Sequence, residues 1–338
     1  MMRIPQLVFL LMMNRIDGVS RIEIPTPFPV GNVNCYLIEG SPLTLIDTGP
    51  KTSKGLEAMQ RELHALSYDL SEIEQILLTH NHMDHIGLVA QFVRERVRID
   101  GSPPEVWIHQ RDAEALLNYE RYMELYLASV VKLIGASGVP KNEALKFARG
   151  RTEFFKSMGG SVPAVRCFED KASFKTGIGK LSVVWVPGHS PGSTCFVCDK
   201  QRVIFSGDHV LGDISSNPSI SFDRSEGIGM VTYLASLNRI SPRGSYVALP
   251  GHREPILDLA SRIEVLRADY DDKLRRAAGL LTSSPLTVYE ISRMIYGDYD
   301  MNSLILAVAE SYDLVRILES RNQAKSTSHN GVIHVVKH

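Results

Sequence analysis

Cysteine is scarce: Cys35, Cys167, Cys195 and Cys198 are the whole complement of a 338-residue chain. So few, so unevenly spaced, they cannot form the disulfide scaffold of a small secreted protein, and reduced thiols in a cytoplasmic protein are expected. Cys195 and Cys198 spell C-x-x-C but fall in an expected strand, residues 193–199, where positions three apart point to opposite faces. They read as small buried side chains rather than a redox or metal pair. Net charge is equally sparse. A formal −1 leaves no electrostatic footprint for nucleic acid or an anionic membrane, and since a local patch can hide in a balanced total, charge by itself selects no partner. The partner expected is a small-molecule substrate, ahead of nucleic acid, with no membrane. Long apolar runs are missing too. Residues 7–13 are apolar but too short to span a bilayer and lack a clear small-residue cleavage site, so a signal peptide is not favoured. A translation start misplaced upstream of Met13 explains the run equally well.

What is present has the composition of an ordinary globular protein, long enough to outgrow one core. One large domain, residues 1–258, with a small C-terminal unit, residues 259–338, is the expected organisation. The stretch that organises the first is Thr79-His80-Asn81-His82-Met83-Asp84-His85-Ile86-Gly87, which puts four metal-ligating side chains within six positions. It follows a short apolar run at residues 75–79 that reads as a buried strand. His80 and His82, two apart, point the same way from extended backbone, and the chain must then turn for Asp84 and His85 to face a second point nearby. That spacing suits two adjacent metals. A histidine-rich turn is often only a solvated loop, but other strand ends here deliver further ligands.

Residues 33–38 and 43–47 read as strands around the turn Glu39-Gly40-Ser41-Pro42, and the second ends in Asp47-Thr48-Gly49-Pro50. Gly49 permits a positive φ after the strand, leaving Asp47 at the strand's end to accept a hydrogen bond from a ligand and fix its orientation. Amphipathic helices are expected at 53–66 and 88–97, so strand and helix alternate. Later strands end in Pro187-Gly188-His189-Ser190-Pro191-Gly192-Ser193, in Ser206-Gly207-Asp208 and in Pro250-Gly251-His252. Each brings one more ligand to the same edge. His64 lies in a helix and reads as a surface residue, His109 ends a strand as a weak pocket candidate, and His209 should point away from Asp208's site. Between residues 111 and 160 the texture turns helical, with Leu116, Tyr119, Met123, Tyr126, Leu127, Val130 and Val131 spaced by threes and fours. This insertion is a candidate lid, with Tyr119, Tyr122, Met123 and Tyr126 as candidate pocket residues and Phe154, Phe155 and Met158 similarly placed.

In order, Asp47 in L-I-D-T-G, the H-x-H-x-D-H of His80 to His85, His189 in P-G-H-S-P-G-S, Asp208 in S-G-D and His252 in P-G-H resemble the five motifs of the metallo-β-lactamase-fold hydrolases, over residues 21 to 258. The resemblance implies an α/β (α+β) fold, an αββα sandwich with metals at one edge. It gives His80, His82 and His189 to one metal and Asp84, His85 and His252 to the other, with Asp208 bridging. Such a pair, about 3.5–4 Å apart, shares a water, lowers its pKa and clamps a developing oxyanion. Asp84 would also hold the nucleophile in line, so Asp84 and Asp47 are the catalytic candidates. The ligand types suit two Zn²⁺ ions, and iron or manganese would be accommodated. Many true lactamases carry cysteine or serine where Asp208 stands, which argues against antibiotic hydrolysis. Diiron oxygen-reducing members carry an acid at the position of His82. The single-iron persulfide dioxygenases share many of these ligands. Glyoxalase II-like thioesterases and acyl-homoserine lactonases have the full set. Neither the glutathione-binding residues of the former nor the catalytic tyrosine of the latter has a clear counterpart, Leu211 following Val210 after Asp208.

Beyond a break at Thr282-Ser283-Ser284-Pro285, a helix capped by Thr287 with Glu290, another at about 302–320, and a turn and strand at 330–336 resemble the winged helix of lactamase-like endoribonucleases. Its charges balance, which suits packing or homodimer support better than nucleic-acid binding. The expected activity is dinuclear metal-dependent hydrolysis of a carboxylic ester, thioester or lactone. The alternative is a phosphodiesterase cutting single-stranded RNA with the same site.

Overall fold

A computed structural model describes residues 16–218, 227, 229–300 and 303–338. The apolar run at residues 7–13 lies outside the described residues. Short strands alternate with helices: β1 (Val19–Ile24), β2 (Val33–Ile38), β3 (Thr44–Ile46), α1 (Ser53–Ala65), β4 (Gln75–Leu77), α2 (Met83–Ile86), α3 (Val89–Asp100) and β5 (Glu105–His109). The insertion supplies α4 (Glu114–Leu117), α5 (Tyr119–Ala136) and α6 (Lys141–Ser157). Then come β6 (Arg166–Phe168), β7 (Ser173–Thr176), β8 (Gly179–Trp185), β9 (Thr194–Cys198), β10 (Val203–Gly207), α7 (Gly229–Ile240) and β11 (Val247–Pro250). The chain ends in α8 (Leu259–Leu280), β12 (Leu286–Thr287), α9 (Val288–Tyr296), α10 (Leu304–Ser320), β13 (Ala324–His329) and β14 (Val332–Lys337).

Strands β1 to β6 form one sheet in sequence order, and β11-β10-β9-β8-β7 form a second. Strands β3, β4, β5 and β6 are mutually parallel, as are β10 and β11, so their C-terminal ends gather at common edges. Tyr36, Ile46, Leu77 and Phe168 of the first sheet meet Leu181, Phe196, Phe205 and Leu249 of the second in a dry layer between them. Helices α1, α3 and α5 cover the outer face of the first sheet through Met59, Phe92 and Met123. Helices α7 and α8 cover the second through Tyr233, Leu237, Ile263 and Leu266. The result is the αββα sandwich. Cys195 and Cys198 fall on opposite faces of β9, each in a different apolar cluster, and both are free thiols.

The C-terminal helices and ribbon are present, with Thr287 and Glu290 forming the capping box. Their core is continuous with the sandwich: Val186 and Ile204 share one cluster with Ile291, Leu314 and Val335. Twelve residues of α10, Glu310 and Asp313 among them, are buried, because α10 is enclosed by α5, α7, α8 and α9. The segment after His252 is not helical at once: Ile256 bridges Ala248, and α8 begins after Asp258, whose side chain caps it. In α5 the stripe is slightly narrower than expected, since Val131 is 40% exposed. Among the described residues, no helix is long and apolar enough to cross a membrane.

Candidate metal centre

Each ligand-type side chain is delivered by a strand end. After β3, Asp47 itself takes a left-handed backbone (φ 58°), with Gly49 also at positive φ, and this double reversal keeps the carboxylate under the end of β4. After β4 come Thr79 and His80. His82 then caps the single-turn helix α2, which carries Asp84 and His85. The β8–β9 turn holds His189, and the ends of β10 and β11 hold Asp208 and His252.

Cross-sheet hydrogen bonds pin these ends together. Thr194 N–H donates to the Thr79 carbonyl (2.9 Å) and Asn34 N–H to the Gly251 carbonyl (2.6 Å). Asn34 Nδ2 and Tyr36 Oη both donate to the Pro250 carbonyl. Gly251 must remain without a side chain, because a Cβ there would lie 2.4 Å from Asp208 Oδ1.

Asp112, on the turn after β5, was not foreseen. Buried, it accepts from Ser190 Oγ (2.6 Å), from Gly192 N–H (2.8 Å) and from the backbone of Asn81. It therefore ties the turn bearing His189 to the segment bearing His80 and His82. Burial pushes its pKa up to about 6 against those three donors.

All seven side chains converge. His80, His82 and His189 offer donor atoms within 4.8 Å of one another, as do His80, His85 and Asp208, and Asp84, His85 and His252. Hydrogen-bond direction sets which ring nitrogen faces inward. His189 Nδ1–H donates to the Ser216 carbonyl (2.5 Å), His252 Nδ1–H to the Asn32 carbonyl (2.7 Å) and His85 Nδ1–H to Asp47 Oδ2 (2.8 Å). Thr79 spends its one hydroxyl proton on Asp47 Oδ2 (2.7 Å), so it accepts from His80 Nδ1 (3.0 Å). Four Nε2 lone pairs are thereby aimed at the centre.

Apart from His80 Nε2, which lies 3.0 Å from His82 Nδ1, those atoms fit cations better than one another. His85 Nε2 lies 3.4 Å from Asp208 Oδ1, and His252 Nε2 is 3.3 Å from Asp84 Oδ2 and 3.5 Å from Asp208 Oδ2. His189 Nε2 is 3.6 Å from Asp208 Oδ2. These separations exceed the usual 2.9–3.0 Å hydrogen bond. They match the roughly 3.3 Å between two ligands held about 2.05 Å from one tetrahedral ion. The Nε2 atoms of His85, His189 and His252, with Asp208 Oδ1, are buried without hydrogen-bond partners. Protonation states suit the same role at His80, His82, Asp84 and Asp208, whereas at His85 and His252 burial is outweighed by neighbouring carboxylates, Asp208 foremost, which raise the pKa. Burial and the neighbouring imidazoles hold His80 neutral, and burial and His189 bring His82 down to about 3. Burial opposes the Asp84 carboxylate, yet contact with His252 and the charges of His85 and His252 bring its pKa down to about 2. Burial also opposes Asp208, but His252 and His85 hold it well below the carboxylate range.

A sequence profile of the metallo-β-lactamase superfamily matches residues 28–279. The chain belongs to the metallo-β-lactamase superfamily. It is a hydrolase of that superfamily. It is 29% identical over 316 residues to the probable metallo-hydrolase YqjP of Bacillus subtilis (strain 168), covering 92% of this chain and 95% of the relative. It is 26% identical over 254 residues to the thioesterase pkgB of Emericella nidulans, covering 73% of this chain and 55% of that protein. Among solved structures, a metallo-β-lactamase family protein from Thermus thermophilus superposes with a TM-score of 0.81 at 25% identity, covering 95% of this chain and 99% of the other.

In this superfamily member a cavity of about 440 Å³ opens on the cluster and is lined by His82, Asp84, His189, Asp208 and His252. Of the insertion's candidates, Tyr122, Met123 and Tyr126 border it, as does Phe155, and Asn81 Nδ2 donates to Tyr122 Oη (2.7 Å). Tyr119 and Met158 are instead buried in protein, Tyr119 donating to the Phe155 carbonyl (2.6 Å), and Phe154 packs on Phe28. His109 does not border this cavity: its ring stacks on Trp185, 5.5 Å away. His209 turns from the cavity onto the Tyr233 ring, and His64 is exposed beside Asp69. Asp47 does not border the cavity; both of its oxygens are engaged by Thr79 and His85, so it acts on the site only through them.

Proposed function

We propose that the protein is a dinuclear metal-dependent hydrolase of a carboxylic ester, thioester or lactone. His80, His82 and His189 would hold one ion, Asp84, His85 and His252 the other, and Asp208 would reach both. The observation that carries this reading is that the buried, partnerless Nε2 atoms of His85, His189 and His252 and Asp208 Oδ1 belong to overlapping clusters of ligand-type side chains. Imidazole and carboxylate donors without thiolate suit zinc and accept iron or manganese. When bound, two such ions lower the pKa of a shared water and polarise the substrate carbonyl.

The chain's own residues do the rest. Asp84 borders the cavity, where a carboxylate oxygen can accept the proton of the attacking water and hold it in line. The water oxygen bonds to the acyl carbon, the C–S or C–O bond breaks, and the leaving group departs with a proton. Asp47, through His85 and Thr79, and Asp112, through the two ligand-bearing turns, position the donors.

Cleavage of RNA finds less support. Were the C-terminal unit, residues 259–338, a winged helix, α10 would be its groove-reading helix, and α10 is buried along its length. Arg253 is the one Lys or Arg among the described residues lining the cavity, whereas a polyanion is met by several.

The test is elemental analysis with a turnover assay. Two ions per chain and thioester or ester hydrolysis are expected, and His82→Ala should lose one ion and turnover while its circular dichroism is unchanged. An active His82→Ala enzyme contradicts the proposal.

A further inference from the structure

The reacting groups occupy a small part of the cavity wall, and most of the rest is hydrocarbon from three distant segments. Tyr122, Met123 and Tyr126 come from α5, Phe147 and Phe155 from α6, and Ile305 and Leu306 from α10, the C-terminal unit. Phe147 and Ile305 also belong to the apolar cluster that joins α5, α6 and α10. The C-terminal helices therefore do more than support the sandwich: they close a chamber beside the metal centre. Phe28, Leu211 and Ile214 add apolar wall from the sandwich side; beside the ligand-type residues, the polar minority of the wall is Asn81, Ser215, Ser216, Asn217 and Arg253.

From this we infer that the substrate carries an apolar acyl group of medium length, and that α10 with α6 sets the length accepted. The inference rests on the hydrolase reading above and names the substrate of the same site. An apolar wall cannot repay the desolvation of a sugar, phosphate or peptide backbone, because buried polar groups without partners are costly. It favours alkyl or aryl surface instead. Size narrows the class further. At roughly 30 Å³ for each water-sized group, 440 Å³ takes about 15 non-hydrogen atoms, which leaves an acyl chain of roughly eight to twelve carbons once the reacting carbonyl, its sulfur or oxygen and the attacking water are seated.

The experiment is a chain-length series of acyl N-acetylcysteamine thioesters, acetyl to hexadecanoyl, on holoenzyme of known metal content. kcat/KM should rise about fourfold for each added methylene, peak between octanoyl and dodecanoyl, and fall at hexadecanoyl. Ile305→Trp, which fills the chamber, should move the peak to shorter chains, and Phe147→Ala, which enlarges it, to longer ones. A profile that is flat or falls from acetyl upward overturns the inference while leaving the hydrolase reading intact. A peak that neither variant moves overturns the assignment of the chamber. Metal-loaded enzyme that turns over no thioester or ester of any length overturns the hydrolase reading, and the inference with it.

Discussion

Replacing Asp47 by asparagine should cost metal affinity without costing the fold. Asparagine tolerates the left-handed backbone that Asp47 adopts (φ 58°), and it has the same shape, so the strand end is preserved. The amide differs from the carboxylate in having one acceptor where Asp47 has two. Thr79 N–H, which cannot reverse its direction, faces Oδ1 at 2.8 Å and claims the amide oxygen. The amide NH₂ then faces His85 Nδ1, at the 2.8 Å position of Oδ2, and donates to it. His85 must move its proton to Nε2, the atom that points at Asp208 Oδ1 from 3.4 Å, and a protonated Nε2 offers no lone pair to a cation. The opposite amide orientation would leave the buried Thr79 N–H facing a donor, at about 1–3 kcal/mol. Either way, loss of such a partner behind a metal-binding histidine weakens binding about 10- to 100-fold, or about 1.4–2.7 kcal/mol. Competition with a chromophoric chelator should show two tight ions per chain in the native protein, one of them weakened by that factor in Asp47→Asn, while thermal unfolding of the metal-free protein changes little. Two ions held with native affinity would refute the tautomer argument.

Gly192→Ala should loosen the turn bearing His189, since the new Cβ would fall 2.5 Å from Asp112 Cγ; the same chelator titration should show one ion weakened, and unaltered affinity would mean the turn relocates freely. Asp112 makes a pH prediction. Its folded pKa of about 6 stands above the 3.8 of the unfolded chain, so the folded form keeps a proton the unfolded one has lost, and stability falls as pH rises from about 4 to 6. The gap converts to about 3 kcal/mol, and Asp112→Asn should gain about that much relative to the native protein between pH 4 and 6, measured by urea unfolding of the metal-free forms; parallel stability curves would deny the shift. Glu310, 3% exposed, pairs with Lys273 (2.8 Å) and accepts from Tyr296 Oη (2.6 Å). Glu310→Ala strands both and should destabilise by about 3 kcal/mol, whereas a loss below about 1 kcal/mol would show that Asp269 suffices for Lys273.

The chemical half of the candidate site was readable because each ligand-type side chain is encoded locally. A short apolar run followed by Asp, His or Gly-His marks a strand end, and parallel strands bring such ends to one edge whatever lies between them. His109 shows the limit of that rule. It too ends a strand on the same edge, but the indole of Trp185 lies flat against it and removes it from the cavity. Asp112 shows the converse. Nothing in Gln110-Arg111-Asp112 marks it in sequence, and its role exists only because Ser190 and Gly192, some eighty positions away, fold against it.

The substrate half was less readable for a physical reason. Helical periodicity reports which side of a helix leaves water, and it is silent on whether protein or empty space lies opposite. Tyr119 and Tyr122 sit one turn apart in the insertion; the first ends buried with its hydroxyl on the Phe155 carbonyl, the second borders the cavity. Ile305 and Leu306 lie in residues 304–309, an unbroken apolar run at the start of α10 in which every position reads as core. The chamber arises where α5, α6 and α10 fail to fill the space between them, a property of three segments jointly that no one stretch specifies. Catalytic machinery and chamber are therefore separable by substitution. Changes at Ile305 or Phe147 should alter which acyl group fits while the hydrogen bonds that aim His80, His85, His189 and His252 stay as they are.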